Sequence, residues 1–298
     1  MSKLSDADLI NELTTRLQAY SKTLKEMKDL NKELKVVNKK LEESEALKSH
    51  FISNITNEIV NPFASIIGLS KNILSAKKED WKTIISMVSL IHSEAFNLDF
   101  QFKNIFVAAK LEAGEVSPDV LKVDINSLID GVLESFRIEA KKKKVSFNFD
   151  FSVTPGVEKI YYFNTDPEKL RLITSNLISN AIKFSSPGQV IEIQVSMEED
   201  NLVISVKDQG TGISEENQKV IFDRFRRLDT GINSLNRGHG LGLSVNKALL
   251  DMLNGTIKIN SKPGEGAEFI VSLPEQSLQT EGFSYEGTET FFEDEEMF

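Results

Sequence analysis

The chain has 298 residues, 40% of them apolar and 27% charged, and no cysteine; it has room for one or two domains with cores of their own, and disulfides and thiolate metal sites are excluded. No apolar run approaches the ~18 residues of a membrane helix, and the N-terminal segment, MSKLSDADLINEL, lacks the apolar centre of a signal peptide, so a cytoplasmic protein is expected. The net charge is −10, but residues 275–298 carry eight acids and no Lys or Arg, which leaves −2 for the remainder and no basic excess for non-specific nucleic-acid binding.

Residues 10–45 repeat every seven. Ile10, Leu17, Leu24, Asn31 and Asn38 form one seam; Leu13, Tyr20, Met27, Leu34 and Leu41 form a second, three residues on. Sustained heptads make helices supercoil, and an amide on the first seam prefers an identical amide across a parallel pair. Residues 1–45 are therefore expected to form a parallel coiled coil between two copies, the alternative being one long helix lying on another domain. A helical pattern restarts after Lys48, with Phe51, Ile52, Ile55, Ile59, Phe63, Ile66, Ile67 and Leu69 on one face and Pro62 expected to kink it. The polar stretch 75–80 reads as a turn. A second helix follows from Trp81 to about Ala113, with Ile84, Val88, Ile91, Ala95, Leu98, Phe102, Ile105 and Phe106 inward and Gly114 at its end. Residues 46–119 thus read as a helical hairpin, and two such hairpins make a four-helix bundle.

Beyond Val123 the pattern becomes α/β. Helices are predicted at 124–139, 167–184, 215–225 and 242–253, and strands at 145–151, 191–195, 202–206, 256–259 and 268–273. A mixed sheet with helices on one face is expected over 120–275. Residues 276–298 interleave acids with Phe, Tyr and Met; they read as an acidic, disordered tail, or alternatively as a short docking segment.

Four short motifs follow in order. In Asn176-Leu-Ile-Ser-Asn180-Ala-Ile-Lys183-Phe184, the two amides and the lysine share a helix face. Amide oxygens suit a hydrated Mg²⁺, and a lysine meets phosphate as a point charge. Next, Asp208-Gln-Gly210-Thr-Gly212-Ile213 follows a predicted strand, where glycines let backbone approach a ligand and a carboxylate can accept from an adenine amino group. Third comes Ile221-Phe222-Asp223-Arg224-Phe225-Arg226-Arg227, which offers aromatic anchors and charge for phosphate. Last is Gly238-His239-Gly240-Leu241-Gly242, which exposes backbone N–H groups at a helix start. Each alone has an ordinary explanation: solvated asparagines, a glycine turn, a basic helix end, a flexible loop.

Together, in this order, the four resemble the nucleotide-binding boxes of the gyrase, chaperone and histidine-kinase ATPase superfamily, and NLISNAIKFS resembles the histidine-kinase branch. Upstream, KSHFISNITNEIVNPFASIIGLS (48–70) is similar to the dimerisation and phosphoacceptor helix of those kinases, and AKLEAGE to the end of the helix after it. The resemblance spans 48 to 274 and implies an α + α/β protein: a parallel coiled coil, a dimeric four-helix-bundle hairpin, and an α/β-sandwich ATP-binding domain. It implies ATP and Mg²⁺ as cofactors, with Asn180 the principal metal ligand, Asn176 assisting and Lys183 touching phosphate. Asp208 would hold the adenine amino group, with Gly210 and Gly212 shaping the pocket. Gly238, Gly240 and Gly242 would form the hinge of a lid over 226–240. Phe184, Ile213, Arg224, His239 and Leu241 complete the implied nucleotide-binding set, and Phe222 and Phe225 would anchor the lid.

One position departs. Where the family carries its phosphoacceptor histidine, this chain reads Asn57, followed by Glu58, Ile59, Val60, Asn61 and Pro62. A neutral imidazole nitrogen is nucleophilic; a carboxamide nitrogen has its lone pair delocalised into the carbonyl and is not. Asn57 should not accept phosphate. His50 lies seven residues earlier, about 10 Å up the helix axis, in the wrong motif; His92 is expected at a helix surface and His239 among the lid glycines. The expected protein is a dimeric, Mg·ATP-binding regulatory kinase relative without autophosphorylation, paired with a response regulator or another histidine kinase. The alternatives are a response-regulator phosphatase using Glu58 and Asn61, a kinase acting in trans on a partner's histidine, and an active kinase whose acceptor has been replaced by engineering.

Overall fold

Long heptad-bearing sequence with strong helix formers gives one uninterrupted helix at the start of the chain. In this computed structural model residues 6–77, 80–152, 161–223 and 240–277 are described, apart from the side chains of 6–9, 12, 40, 43–44 and 46–58. The chain divides into two units, Met1–Leu98 with Asp223–Leu241, and Asp99–Phe222 with Gly242–Phe298.

Among the described residues the first unit is mainly helical. Helix α1 runs Asp6–Ser75 and continues through Pro62, which therefore does not end it. Its seam residues are open to solvent in the single chain: Leu17 and Tyr20 are each 67% exposed. Helix α2 spans Trp81–Ala113 and crosses from the first unit into the second at Leu98. Phe63, Ile67, Val88 and Phe106, which periodicity placed inward, are exposed in one chain. No helix among the described residues is long and apolar enough to cross a membrane.

The second unit holds the expected mixed sheet. Strands β2 (Ser146–Phe151), β4 (Val190–Glu198), β5 (Asn201–Lys207), β7 (Ala267–Pro274) and β6 (Thr256–Ser261) lie side by side in that order. The β2–β4 pair is parallel and the remaining pairs are antiparallel. Alternation fixes the two faces. Ile191, Ile193 and Val195 on β4, Ile204 and Val206 on β5, and Phe269, Val271 and Leu273 on β7 are buried, under helices α3 (Ile125–Ser135), α5 (Pro167–Phe184) and α7 (Gly242–Met252). The opposite face carries polar pairs such as Ser205 donating to Glu268 at 2.9 Å and Lys207 facing Glu192 at 3.6 Å.

Three differences from the sequence expectation have local causes. The helix predicted over 124–139 is two, α3 and α4 (Arg137–Lys143), broken at Phe136. That ring is buried and meets Phe100 of α2 edge to face at 5.7 Å, a tertiary contact that periodicity does not encode. A small antiparallel pair, β1 (Leu121–Asp124) with β3 (Tyr162–Thr165), was not anticipated, because four-residue strands are too short to show alternation. The helix expected over 215–225 is only α6, Glu215–Gln218, among the described residues.

Helix α5, which carries the first motif, is firmly started. Pro167 sits in its first turn and Asp166 caps it, accepting from Lys169 N at 2.9 Å and from Asp119 N at 2.8 Å, with the Lys169 ammonium against the same carboxylate. Burial by itself raises the Asp166 pKa, but the Lys169 side chain and the two backbone N–H groups outweigh it and hold the carboxyl below its ordinary value.

Gly131 sits inside α3 on its exposed side, and an added Cβ would meet only Arg171 Nη1, at 3.5 Å. Glycine in a helix costs about 0.5–1 kcal/mol relative to alanine. Gly131→Ala is therefore expected to stabilise the protein by about that much, read as a higher urea midpoint; an unchanged or lower midpoint would show that Arg171 cannot give way.

Candidate nucleotide-binding site

The first two motifs and Gly242, the last residue of the fourth, meet within the second unit. Helix α5 supplies Asn176, buried, then Asn180 and Lys183, half-buried, then Phe184, which is exposed. The Lys183 ammonium stands 5.0 Å from the centre of the Phe184 ring, and the Lys183 carbonyl accepts from Lys143 Nζ at 2.9 Å. The Asn180 side chain makes no hydrogen bond to a described residue. Asn176 differs: its Nδ2 donates to Asn104 Oδ1 and Asn246 Oδ1, both at 2.8 Å, and approaches Gly242 O at 3.3 Å.

The second motif leaves the end of β5. Asp208 is buried, and its Oδ1 accepts from Gly210 N at 2.8 Å and Ala267 N at 3.3 Å. Burial pushes the carboxyl up, and those two N–H groups pull it back only in part. Its Oδ2 takes no hydrogen bond from a described residue.

Backbone segments converge here closely enough to exclude side chains. A Cβ on Gly210 would stand 2.4 Å from Phe184 O, and one on Gly212 (φ +66°) 1.9 Å from Lys262 O. A Cβ on Gly266 (φ +84°) would stand 2.1 Å from Asp208 O. Ile213 N donates to Ser261 Oγ at 2.8 Å, Ser261 Oγ donates to Gly266 O at 2.6 Å, and Gln218 Nε2 ties Ile213 O to Ser261 O, at 2.9 Å each. The Ile213 side chain is half-buried.

The fourth motif reaches the first at the start of α7. A Cβ on Gly242 would stand 3.1 Å from Asn176 Oδ1. Gly240 is half-buried and Leu241 buried. Arg224, Phe225, Gly238 and His239 lie outside the described residues, as does most of the expected lid; Phe222 is half-buried. Of the acceptor segment, Asn57 and Glu58 belong to α1 but their side chains lie outside the description, while Asn61 is exposed and Pro62 buried. His92 is exposed, and His50 and His239 lie outside the described side chains.

Sequence reasoning missed four contributors. Ser261 and Gly266 lie in the β6–β7 turn, Ser261-Lys-Pro-Gly-Glu-Gly266, whose paired glycines were a usable signal. Asn104 and Asn246 stand alone on helices 72 and 70 residues from the amide they hold, so local pattern carried no trace of them.

Residues 165–277 match the family model of the histidine kinase-, DNA gyrase B- and HSP90-like ATPases, so the α/β unit is a nucleotide-binding domain of that class. The circadian input-output histidine kinase CikA of Synechococcus elongatus is 30% identical over 240 residues, which is 78% of this chain and 31% of CikA. The sensor protein GacS of Pseudomonas syringae pv. syringae is 31% identical over 252 residues, 82% of this chain and 27% of GacS. The structure of full-length ShkA in complex with AMPPNP shares the fold, with a TM-score of 0.53 at 23% identity over 76% of this chain and 45% of that one. A 252-residue alignment is longer than the second unit, so the likeness takes in helical sequence as well as the sheet. The chain belongs to the two-component sensor histidine kinase family. It spans less than a third of the length of CikA and of GacS.

Close approach and positive φ can be separated by mutation. Gly188 also has positive φ (+91°) but nothing within 4 Å of its Cβ position, whereas Gly212 faces backbone. Gly188→Ala should cost about 1–2 kcal/mol, the strain of a left-handed alanine, and Gly212→Ala clearly more. Equal losses in urea unfolding would dispose of the packing argument.

Proposed function

We propose that this chain binds Mg·ATP, dimerises, and acts as a regulatory kinase relative that does not phosphorylate itself at position 57. The observation that carries the reading is Asn57 in a segment that otherwise keeps Glu58, Asn61 and Pro62, together with a nucleotide site whose polar groups stand ready. Without a nucleophilic imidazole there is no first acceptor for the γ-phosphoryl group.

Several features support ATP as the ligand. Oδ2 of Asp208, which takes no hydrogen bond from a described residue, would accept from the adenine amino group, with Gly210 and Gly212 letting the base lie against backbone. Lys183 would face phosphate, with Phe184, Ile213, Arg224, Gly238, His239, Gly240, Leu241 and Gly242 around the nucleotide. Mg²⁺ fits the donor set: among the described residues Asn180 has no hydrogen-bond partner and the three contacts of the Asn176 amide use its nitrogen, leaving Oδ1 for the metal side. Two neutral oxygens leave the metal's charge to the phosphates and its remaining positions to water, as Mg²⁺ prefers. ShkA, of the same fold, binds AMPPNP.

The dimer reading rests on the exposed heptad seams, Ile10, Leu17 and Leu24 with Leu13, Tyr20, Met27, Leu34 and Leu41, and on exposed Phe63, Ile67, Val88 and Phe106. A response regulator or a partner histidine kinase is the expected protein partner, in the cytoplasm. A second reading, response-regulator dephosphorylation, draws on Asn61, whose exposed amide could orient water at a partner's acyl phosphate. It is tested by the half-life of phosphorylated response regulators with and without the chain; unchanged half-lives across a panel would remove it.

Incubation of the full chain with γ-labelled ATP is expected to leave no acid-labile label, and label on His50 or His92 would sink the central proposal. Asn57→His should create acid-labile label if the rest of the site is complete.

Asp208→Asn separates binding from folding. The amide still accepts from Gly210 and Ala267 and removes a buried charge, so thermal stability should hold or rise. ATP affinity should fall about ten- to a hundredfold, the range of a lost charge-assisted hydrogen bond. In the wild type, acidification protonates Asp208 at a pH above the ordinary aspartate value of about 3.9, because burial raises its pKa. Nucleotide affinity should therefore decline as pH falls through that raised value, and the decline should be absent in Asp208→Asn; parallel pH profiles would show that the carboxylate does not meet the base.

A further inference from the structure

Three buried asparagines from three helices share one nitrogen. Asn104 on α2, Asn176 on α5 and Asn246 on α7 are 6%, 3% and 0% exposed. Their orientation follows from backbone carbonyls, which can only accept. Asn104 Nδ2 donates to Phe100 O at 3.1 Å and Asn246 Nδ2 to Ile173 O at 3.0 Å, so the oxygens of both amides are turned the other way, toward Asn176 Nδ2 at 2.8 Å. Gly242 O faces the same nitrogen at 3.3 Å. Turning the Asn176 amide over would put its oxygen against three acceptors and leave them without a donor, a substantial penalty in a buried site. Oδ1 of Asn176 is thereby held on the opposite side, where no described residue donates to it. Asn180, four residues on, occupies the same helix face.

We propose that Asn104 is a positioning residue for the nucleotide site: by holding Asn176 Nδ2 it fixes Asn176 Oδ1 toward the metal, so that Mg·ATP affinity depends on the last turns of α2 staying against α5. The inference rests on the Mg·ATP reading above. Asn104 lies outside residues 165–277, the stretch that matches the ATPase family, so the site is completed by a helix that the domain's own sequence does not contain. The Phe100 ring against Phe136, one turn before Asn104, holds the same part of α2. Because α2 is continuous across the two units, whatever withdraws its end from α5 removes one of the three acceptors and weakens the hold on the Asn176 amide.

The test is calorimetric titration of the full chain with ATP, once with Mg²⁺ and once with EDTA, comparing wild type with Asn104→Leu and Asn104→Asp. The ratio of the two affinities isolates the metal's part, which looser packing alone would not move. Asn104→Leu should cut the ratio about three- to tenfold, the scale of a lost amide hydrogen bond or of a lost partner to a metal ligand, with EDTA affinity within about twofold of wild type by the same reasoning. Asn104→Asp keeps an acceptor oxygen toward Asn176 and, protonated on the other in this buried position, still donates to Phe100 O, so it should restore most of the ratio. Should the leucine variant not fold, Asn104→Ser, whose oxygen falls short of Asn176, takes its place with the same expectation. A ratio unchanged in Asn104→Leu, or both affinities falling together, overturns the role of Asn104 while leaving the ATP site standing. A wild type that binds no ATP under either condition overturns the site reading and this inference with it.

Discussion

Three stretches of backbone come together at the end of β5 with no space for a side chain between them. The chain leaving Asp208 passes under Phe184 O at Gly210 and under Lys262 O at Gly212, while the β6–β7 turn passes under Asp208 O at Gly266. Carbonyls packed this way need donors, and the Asp208 carboxylate needs them as well. Gly210 N and Ala267 N serve the carboxylate; Ser261 Oγ bridges Ile213 N and Gly266 O. This close approach ties the sheet edge, the C-terminal end of α5 and the loop after β5 into one object. The first motif's helix and the second motif's loop are held together by it.

Much of this was readable in the residues. Alternation in 145–151, 191–195 and 268–273 located strands, because one face of the sheet is buried and the other wet. The helix predicted from Pro167 starts there. The glycines at 210 and 212 after a strand pointed to close backbone approach, although the partners of that approach could not be read. What stayed hidden was set by contacts distant in sequence. Phe136 ends a helix because its ring is buried against Phe100, and nothing within a turn of Phe136 says so. The β1–β3 pair joins Leu121 with Thr165, across the whole of α3 and β2, using strands too short for a period.

The asparagines show the same limit within one motif. Asn176 and Asn180 share a helix face, so spacing alone gave them similar work. The structure separates them by environment. Asn180 is half-buried and makes no hydrogen bond to a described residue; Asn176 is buried, and its nitrogen serves a side chain of α2 and a side chain and the backbone of α7. The side of Asn176 that remains is one oxygen. Its direction is set from α2 and α7, and neither is legible from α5.

This bears on how an intact nucleotide motif should be weighed in a chain proposed to lack an acceptor histidine. Gly210, Gly212 and Gly266 would be required by packing even in a protein that bound nothing, because any other residue collides with backbone. Their presence supports the fold and says little about a ligand. The groups that argue for binding are those without structural work. Oδ2 of Asp208 has no donor among the described residues, in a carboxylate whose burial as an anion is unfavourable and which Asn could replace without losing a backbone hydrogen bond. Asn180 sits half-buried, its amide without a hydrogen bond to a described residue. A buried charge that the backbone hydrogen bonds of the fold do not require is what a site retained for a ligand would keep. Position 57 belongs to α1, and replacing an imidazole by a carboxamide there removes a nucleophile without changing any residue of the nucleotide motifs.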